Sequence, residues 1–487
     1  MRPFLGALML AAVLAGCETV ENPVTGKAER TVMDERSEVA EGQKAHPQVL
    51  AEYGQYDDAK LAAYVDGLGQ RLAAQSHRKE LKWHFTVLDS PEVNAFALPG
   101  GYVYVTRGLM AYMESEADLA GVIGHEIGHV TARHGAQRAT RQQTAGLGVL
   151  AASVLGAVLG VGDLAQQVSQ GVAAGYIARY SRDQELQADQ LGAEYLARSN
   201  LNPSNMVDVI GVLGSQERFA ADVARAEGRA PRAEANWLSS HPSNEQRLRE
   251  IREIAAKYRG QYGDDGRARY LQAIDGLPFG ESRDQGVTRG RNFYHEPLGV
   301  AITAPQGWRF QNSAEALAIV NPEGNAGLVL QAVPPKAGTS HEDILRNVVK
   351  PDQGRTEQRS LNGQPATHFV GTRRTEQGAR PVAATVATGP GGRNYLLLYA
   401  GADQAALQRA YRQLQETEST FRPMTAADRS AARPWTLQTV PMPRGGFAEL
   451  ARRVPLATHA EQQLRLLNGA YGGGAEPQPG QPVKTVE

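Results

Sequence analysis

Cysteine is almost absent from this chain, in which Cys17 is the only one among 487 residues. No disulfide can therefore form within the chain. The chain also lacks a large excess of positive or negative charge, because it has 51 lysines and arginines and 52 aspartates and glutamates, for a formal net charge of −1. Proteins that bind nucleic acid usually carry a strongly basic surface, so this balance gives no support to a nucleic-acid partner, and we expect none.

Long apolar runs are also scarce, and the first lies at the start of the sequence. Residues 5–14 follow a positively charged opening, and Leu-Ala-Gly-Cys at 14–17 ends the run with small residues. This pattern predicts a secretory signal peptide over 1–17 that resembles a bacterial lipobox, with Cys17 as the lipidated N-terminus. A plain signal peptide with an incidental cysteine is the alternative. Glu18 stands where an aspartate usually retains lipoproteins in the inner membrane, so we expect a periplasmic protein that is lipid-anchored to the outer membrane.

A second apolar run, residues 142–162, carries no charged side chain. Its length approaches that of a membrane span. Its many glycines and alanines make it only weakly hydrophobic, and we therefore favour a buried helical hairpin or a lid over a cleft. Contact with the membrane is the alternative. Residues 163–180 would then lead back as a helix.

The pattern H-E-x-x-H at residues 125–129 is the most informative motif of the sequence. It lies in a stretch whose apolar residues recur at helical spacing, so His125 and His129 lie one turn apart on one helix face. Two neutral imidazoles at this spacing suit Zn²⁺, and Glu126 is then placed to act on a water at the metal. We therefore expect a hydrolase with one Zn²⁺ per chain. An exposed helix with incidental histidines is the alternative.

A catalytic zinc keeps three protein ligands, so a third one has to come from elsewhere in the chain. A third histidine two turns along the same helix is excluded, because Gly135 occupies that position and His134 is one residue out of register. We expect His134 to cap the helix or to pack beneath it. A second predicted helix offers Glu185 as the ligand, with Asp189 one turn later to accept the outer N–H of a ligand histidine. An ordinary solvated, charged helix is the alternative.

These motifs, in this order, resemble the HtpX and CAAX-prenyl-protease family of zinc metallopeptidases (gluzincins), and in particular its BepA-like branch of periplasmic lipoproteins. The resemblance covers roughly residues 20 to 258. It rests on residues 93–103, on residues 124–134, on Glu185 with Ala188-Asp189, on His241-Pro242 with Arg247, and on Asn-Pro-Val-Thr-Gly-Lys at 22–27.

The resemblance implies a role for each matching residue. His241 is given one of two roles, to stabilise the oxyanion or to occupy the fourth position of the zinc. A simple helix-entry position before Pro242 is the alternative for this histidine. The implied zinc ligands are His125, His129 and Glu185, the implied general base is Glu126, and the residues implied to hold the ligands in place are Asp189 and Arg247.

The segment before the zinc motif is implied to bind the substrate. The residues concerned are Asn94, Ala95, Phe96, Pro99, Gly100 and Gly101. Residues 102–106 are rich in β-forming side chains and follow a Pro-Gly-Gly turn, so we expect a strand beside the motif helix. Residues 94–105 would offer a strand edge that pairs with the main chain of an extended peptide and accepts many sequences. An ordinary edge of a small sheet is the alternative.

The chain is too long for one compact core, so we expect an α+β multidomain protein. The accessory part shows no cluster of titratable residues and is interpreted as an interaction or scaffold domain. The tail resembles a LysM-like peptidoglycan-binding module, and a plain β-α-α-β domain is the alternative. The expected parts are the signal peptide over 1–17, a mainly α-helical zinc metallopeptidase domain with a small β-sheet over 18–260, a linker over 261–291, an α+β accessory domain over 292–424 and the LysM-like tail domain over 434–487.

The sequence thus predicts a zinc-dependent endopeptidase that cleaves misfolded or unassembled proteins at the periplasmic face of the outer membrane. The expected partners are unfolded or misassembled envelope proteins, the membrane through the lipid anchor, and peptidoglycan as a further candidate. An assembly or binding factor with a latent zinc site, acting through its C-terminal domains, is the alternative. An intact Glu126 favours the peptidase, because a pure binding protein has no use for a general base.

Overall fold

The computed structural model describes residues 18–144, 180–228, 237, 241, 245–375 and 378–487. The predicted signal peptide with Cys17 lies outside the described residues, as do residues 145–179, which hold most of the predicted lid and of the helix after it. Within the described residues, no helix is both long and apolar enough to span a membrane.

The part that contains the zinc motif is mainly helical and includes a small sheet. At its centre lies the helix that carries the zinc motif, which packs against neighbouring helices and against the small sheet. The elements in chain order are β1 (Glu18–Glu21), β2 (Ala28–Thr31), α1 (Glu35–Tyr53), α2 (Ala59–Ala73), β3 (His84–Leu88), β4 (Ala95–Leu98), β5 (Tyr102–Thr106), α3 (Arg107–Tyr112), α4 (Glu116–Thr131), α5 (His134–Thr144), α6 (Arg182–Arg198), α7 (Asn205–Ala226) and α8 (Glu245–Lys257).

Helix α4 carries the zinc motif and packs unusually closely against α6. The Ser115 side chain accepts a hydrogen bond from a backbone N–H in the first turn and so caps the start of α4. A Cβ on Gly128 would lie 2.9 Å from the carbonyl oxygen of Ala188, and one on Gly192 would lie 3.1 Å from the backbone nitrogen of His125. These glycines therefore let the two helices approach closely enough to bring their polar side chains together.

The small sheet has the strand order β3-β5-β4, with β5 parallel to β3 and antiparallel to β4. The strand predicted over 102–106 is confirmed as β5. Strand β5 does not supply the edge that is expected within residues 94–105, because it is the central strand and both of its sides are paired. The edge beside α4 is β4 instead. Local composition did not reveal this, because the order depends on how the chain crosses between β3 and β5.

The segment over 261–291 was predicted as a linker, but it contains regular elements. These are α9 (Arg267–Ile274), β6 (Pro278–Phe279) and β7 (Val287–Arg289). Tyr270, Leu271 and Ile274 are buried in the hydrophobic cluster that also contains the apolar face of α4. Their spacing is helical, but the surrounding Gly, Asp and Arg residues resemble a loop composition and concealed it. Helix α9 therefore belongs to the core of the metallopeptidase part, whereas β7 pairs with strand Asn292–His295 of the accessory part.

The accessory part mixes strands and helices, as expected. Seven strands form an antiparallel sheet in the order β10-β11-β12-β16-β15-β14-β13, and four form a second sheet in the order β17-β9-β8-β7. The predicted hairpin joins β13 to β14 through Asn362 and Gly363, both with positive φ. The elements are β8 (Asn292–His295), β9 (Val300–Thr303), β10 (Arg309–Asn312), β11 (Leu317–Val320), β12 (Ala326–Ala332), α10 (His341–Ile344) with a π-helical extension (Leu345–Val349), β13 (Gln353–Leu361), β14 (Gln364–Thr375), β15 (Gly378–Thr388), β16 (Asn394–Gly401), α11 (Gln404–Ser419), β17 (Arg422–Pro423) and α12 (Ala426–Ala431).

A buried polar cluster lies in the accessory part, although the sequence indicated none. Glu418 accepts hydrogen bonds from Tyr399 at 2.6 Å and from Thr385 at 2.8 Å. Nδ1 of His368 lies 2.7 Å from the hydroxyl oxygen of Thr385. These side chains come from α11, β16, β15 and β14, so only the folded sheet brings them together, and no local sequence pattern predicts the cluster.

The tail has the predicted β-α-α-β order, with β18 (Trp435–Pro441), α13 (Gly446–Leu450), α14 (Ala460–Leu467) and β19 (Pro482–Val486). It packs against the metallopeptidase part, because Leu437 and Leu464 belong to the same hydrophobic cluster as α4. Lys484 is buried there and donates hydrogen bonds to the carbonyl oxygens of Ala111 and Met113, just before the start of α4. The tail therefore contacts the chain immediately before the helix that carries the zinc motif.

Candidate metal centre

Helix α4 presents both motif histidines on one face, as predicted. Nε2 of His125 lies 3.0 Å from Nε2 of His129, and both rings are buried. Burial, and then the neighbouring His125 ring, lower the pKa of His129 well below its ordinary value. The ring is therefore neutral near pH 7, which is the form in which imidazole binds metals.

Glu185 and His241 complete a group of four buried donors. One ligand atom from each of His125, His129, Glu185 and His241 lies within 4.8 Å of the others. Nδ1 of His241 lies 3.1 Å from Nε2 of His125 and 3.0 Å from Oε1 of Glu185. Each Nε2 of the two motif histidines lies 3.6 Å from a Glu185 oxygen. A tetrahedral zinc with ligands at about 2.1 Å separates its donors by about 3.4 Å, so this donor set fits zinc.

Asp189 and Arg247 hold two of the donor residues in place through hydrogen bonds. Nδ1 of His125 donates to Oδ1 of Asp189 at 2.8 Å, and the Arg247 guanidinium donates to both oxygens of Asp189 at 2.9 Å. Arg247 also donates to the carbonyl oxygen of His241 at 2.9 Å. Burial alone would raise the pKa of Asp189, but Arg247 and His125 lower it to about 2. Asp189 is therefore a permanent carboxylate that fixes the orientation of the His125 ring.

Glu126 lies beside the donor group and has a partner that the sequence did not reveal. The indole N–H of Trp237 donates to Oε1 of Glu126 at 3.0 Å, and Nε2 of His241 lies 3.5 Å from the same oxygen. The Trp237 and His241 rings are stacked, with centroids 4.6 Å apart. The sequence offers only a tryptophan four residues before the histidine, and this spacing alone carries no functional meaning.

His134 packs beneath the motif helix and contacts a ligand histidine. Its Nδ1 lies 2.8 Å from Nδ1 of His129, and its Nε2 lies 3.0 Å from Oε1 of Gln187 on α6. The ring of Tyr180 stacks on the His129 ring at a centroid distance of 3.9 Å. The sequence predicted the packing of His134 but gave no reason to choose Gln187 or Tyr180.

The segment before the motif is only partly placed to contact a substrate. Ala97 and Pro99 lie with His129 and Tyr180 in the lining of one small cleft. The backbone N–H of Trp237 donates to the carbonyl oxygen of Val93, just before strand β4 begins. The β4 edge is therefore next to both the donor group and Trp237.

The other residues that were predicted to bind the substrate are buried inside the fold. Phe96 packs against Tyr53 and Tyr104 in a separate hydrophobic cluster, because alternate side chains of a strand point to opposite faces. Gly100 and Gly101 have φ of +82° and +93° and form a turn pressed against neighbouring backbone. Ala95 and Asn94 are buried, and Oδ1 of Asn94 has no hydrogen-bond partner among the described residues. The expectation that Phe96, Gly100 and Gly101 contact the substrate directly is therefore not supported by their placement.

Comparison with protein families gives a match to peptidase family M48 over residues 59–255. This range contains both motif histidines, Glu126, Glu185, His241 and Arg247. The match confirms the resemblance to zinc metallopeptidases, and zinc is the metal that this family uses, in agreement with the buried donor group.

Comparison with individual proteins also gives relatives, each of which matches less than half of the chain. A β-barrel assembly-enhancing protease from Yersinia pestis is 30% identical over 254 residues, which are 47% of this chain and 49% of the relative. The mitochondrial metalloendopeptidase OMA1 of Schizosaccharomyces pombe is 33% identical over 218 residues, 43% of this chain and 59% of the relative. The β-barrel assembly-enhancing protease of Escherichia coli is 30% identical over 210 residues, 42% of this chain and 40% of the relative. The chain thus spans about half the length of the relatives that it matches.

Proposed function

Because residues 59–255 match peptidase family M48, we propose that this chain is a zinc-dependent endopeptidase that cleaves misfolded or unassembled proteins at the periplasmic face of the outer membrane. The observation that carries the proposal is the buried group of His125, His129, Glu185 and His241, with Glu126 beside it. Two of the relatives are called β-barrel assembly-enhancing proteases, which favours a substrate among envelope proteins for this chain too.

The chemistry divides between the metal and the side chains around it. When bound, zinc polarises the scissile carbonyl and lowers the pKa of the attacking water. Glu126 takes the proton from that water and passes it to the leaving nitrogen. Asp189 keeps the lone pair of the His125 Nε2 directed at the metal position, because its carboxylate accepts the proton of the other ring nitrogen.

His241 gives the site a closed state. Its Nδ1 lies among the other donor atoms, where the open position of a catalytic zinc would be. An imidazole in that position competes with water, and the Trp237 indole occupies an oxygen of the general base at the same time. We infer that the resting enzyme is held at low activity until His241 leaves, after which His241 could also stabilise the oxyanion.

Location and further partners extend the proposal beyond the metal site. Lipidation of Cys17 would hold the protein at the outer membrane, and mass spectrometry of the mature N-terminus tests this, since an unmodified terminus at another residue would contradict it. The β-α-α-β order of the tail is compatible with peptidoglycan binding.

An assembly or binding factor with a permanently closed zinc site is the second candidate. The position of His241 favours it, because four protein donors are typical of structural zinc sites. Glu126 distinguishes the two candidates, because only an enzyme needs its carboxylate.

The test is cleavage of unfolded casein by the zinc-loaded mature protein and by its Glu126→Gln variant. The isosteric amide keeps the Trp237 partner in place but cannot accept a proton. Cleavage by the wild type and loss of at least about 100-fold in the variant would support the peptidase, since general-base catalysis typically contributes 10²–10⁴-fold. Equal cleavage rates in the wild type and in Glu126→Gln would support the binding factor. The absence of cleavage by both the wild type and the His241→Ala variant would support it as well.

A further inference from the structure

The hydrogen bonds behind His129 form a chain that ends at a side-chain amide. Nδ1 of His129 lies 2.8 Å from Nδ1 of His134, whose Nε2 lies 3.0 Å from Oε1 of Gln187. His134 is 0% exposed, so water does not compete for either ring nitrogen. Gln187 lies on α6, the helix that also supplies Glu185 and Asp189. The mechanism above assigns no role to His134 or Gln187.

We propose that Gln187, acting through His134, is a positioning residue that sets the tautomer of His129, an inference that rests on the zinc site proposed above. A neutral imidazole has one N–H and one lone pair on its two nitrogens. The amide oxygen of Gln187 can only accept, so Nε2 of His134 donates and its Nδ1 carries the lone pair. Nδ1 of His129 therefore donates to His134, and Nε2 of His129 is left with its lone pair facing the other donors.

Zinc binding at His129 requires the same proton positions along this series of hydrogen bonds. A zinc ligand at Nε2 of His129 requires the proton to be on Nδ1, which makes His134 Nδ1 an acceptor and His134 Nε2 a donor. The only acceptor on the Gln187 amide is Oε1, which is the atom that faces His134. The opposite orientation of the amide would place a proton on Nε2 of His129 and block it as a ligand.

The two motif histidines are therefore oriented by different chemistry. His125 is held by the carboxylate of Asp189, whose charge is paired with Arg247. His129 is held by a neutral ring and a neutral amide, which fix the proton without adding charge to the site. Partners of this kind typically change metal affinity by 10–100-fold when they are removed.

Gln187→Met removes the acceptor while it keeps a side chain of similar length. We expect its zinc dissociation constant, measured by competition with a chelator, to rise roughly 10- to 100-fold. Gln187→Glu keeps an acceptor oxygen and should bind zinc about as tightly as the wild type. Gln137→Met is the matched control, because Gln137 is also half-buried beside α6 but contacts Glu29, Ala132 and Gln184 rather than a zinc donor.

Proton positions can be read directly in the zinc-loaded wild-type protein with ¹⁵N-labelled histidine. We expect His134 to carry its proton on Nε2 and His129 to carry its proton on Nδ1. A proton on Nδ1 of His134, or equal zinc affinity in Gln187→Met and the wild type, would overturn this inference alone. A wild-type protein that binds no zinc would overturn the proposed function and the inference together.

Discussion

The indole nitrogen of Trp237 lies 3.0 Å from Oε1 of Glu126 and donates a hydrogen bond to it. The same ring stacks on His241, and the backbone N–H of Trp237 is bonded to the carbonyl oxygen of Val93 beside the β4 edge. One residue thus links the proposed general base, the fourth zinc donor and the strand where a substrate would bind. We expect these three features to be released together when the site opens.

Trp237→Phe should activate the enzyme. The change removes the N–H that holds Glu126 but keeps an aromatic ring against His241. A hydrogen bond to a charged group contributes about 1.5–3 kcal/mol, so its loss should favour the open state by roughly 10-fold or more. The measurement is the initial rate of casein cleavage at a fixed zinc concentration.

Trp308→Phe provides the control for this substitution, because Trp308 lies in the hydrophobic core of the accessory part, away from the donor group. Its cleavage rate should equal that of the wild type. A Trp237→Phe protein that retains zinc but cleaves casein more slowly than the wild type would mean that Trp237 supports catalysis rather than the closed state.

His241→Ala separates the two roles that remain for His241. If the imidazole blocks the fourth position, its removal opens the site to water and should raise the rate of proteolysis. If it mainly stabilises the oxyanion, proteolysis should fall while zinc is retained. The measurement combines cleavage rates with zinc content, and we expect the increase, because His241 Nδ1 lies 3.1 Å from Nε2 of His125 in the closed site. Unchanged kinetics would leave His241 with neither role.

The sequence was sufficient where chemistry depends on local spacing. Helical periodicity placed His125 and His129 on one face, and Glu185 with Asp189 on another helix, and both helices exist as predicted. The contacts of Trp237 and of His134 with Gln187 were missed, because they join distant parts of the chain through side chains that have no characteristic pattern.

The remaining differences also have physical causes. The order of the three-stranded sheet made β5 central, which moved the available edge to β4. The buried face of α9 was hidden by its polar neighbours, so a core helix was mistaken for part of a linker. Strand order and burial in a shared core are properties of the whole fold, and a local window of sequence does not contain them.

Substrates should be recognised as extended chains. The β4 edge lies beside α4 and the donor group, so a peptide could bind there through its main chain with little dependence on sequence. We expect many cleavage sites in a denatured protein and little cleavage of the same protein when it is folded. Mass spectrometry of the products from both forms measures this, and equal cleavage of the two forms would rule out recognition through a strand edge.

The most direct test of the account is the zinc content of three purified proteins, measured by elemental analysis. The geometry predicts about one zinc per chain in the wild type and in Glu126→Gln, because Glu126 lies beside the donor group and is not one of its donors. Glu185→Ala should lose the metal, because it removes the carboxylate that faces both motif histidines. Full zinc content in Glu185→Ala, or none in the wild type, would contradict the central claim that these buried donors hold a catalytic zinc.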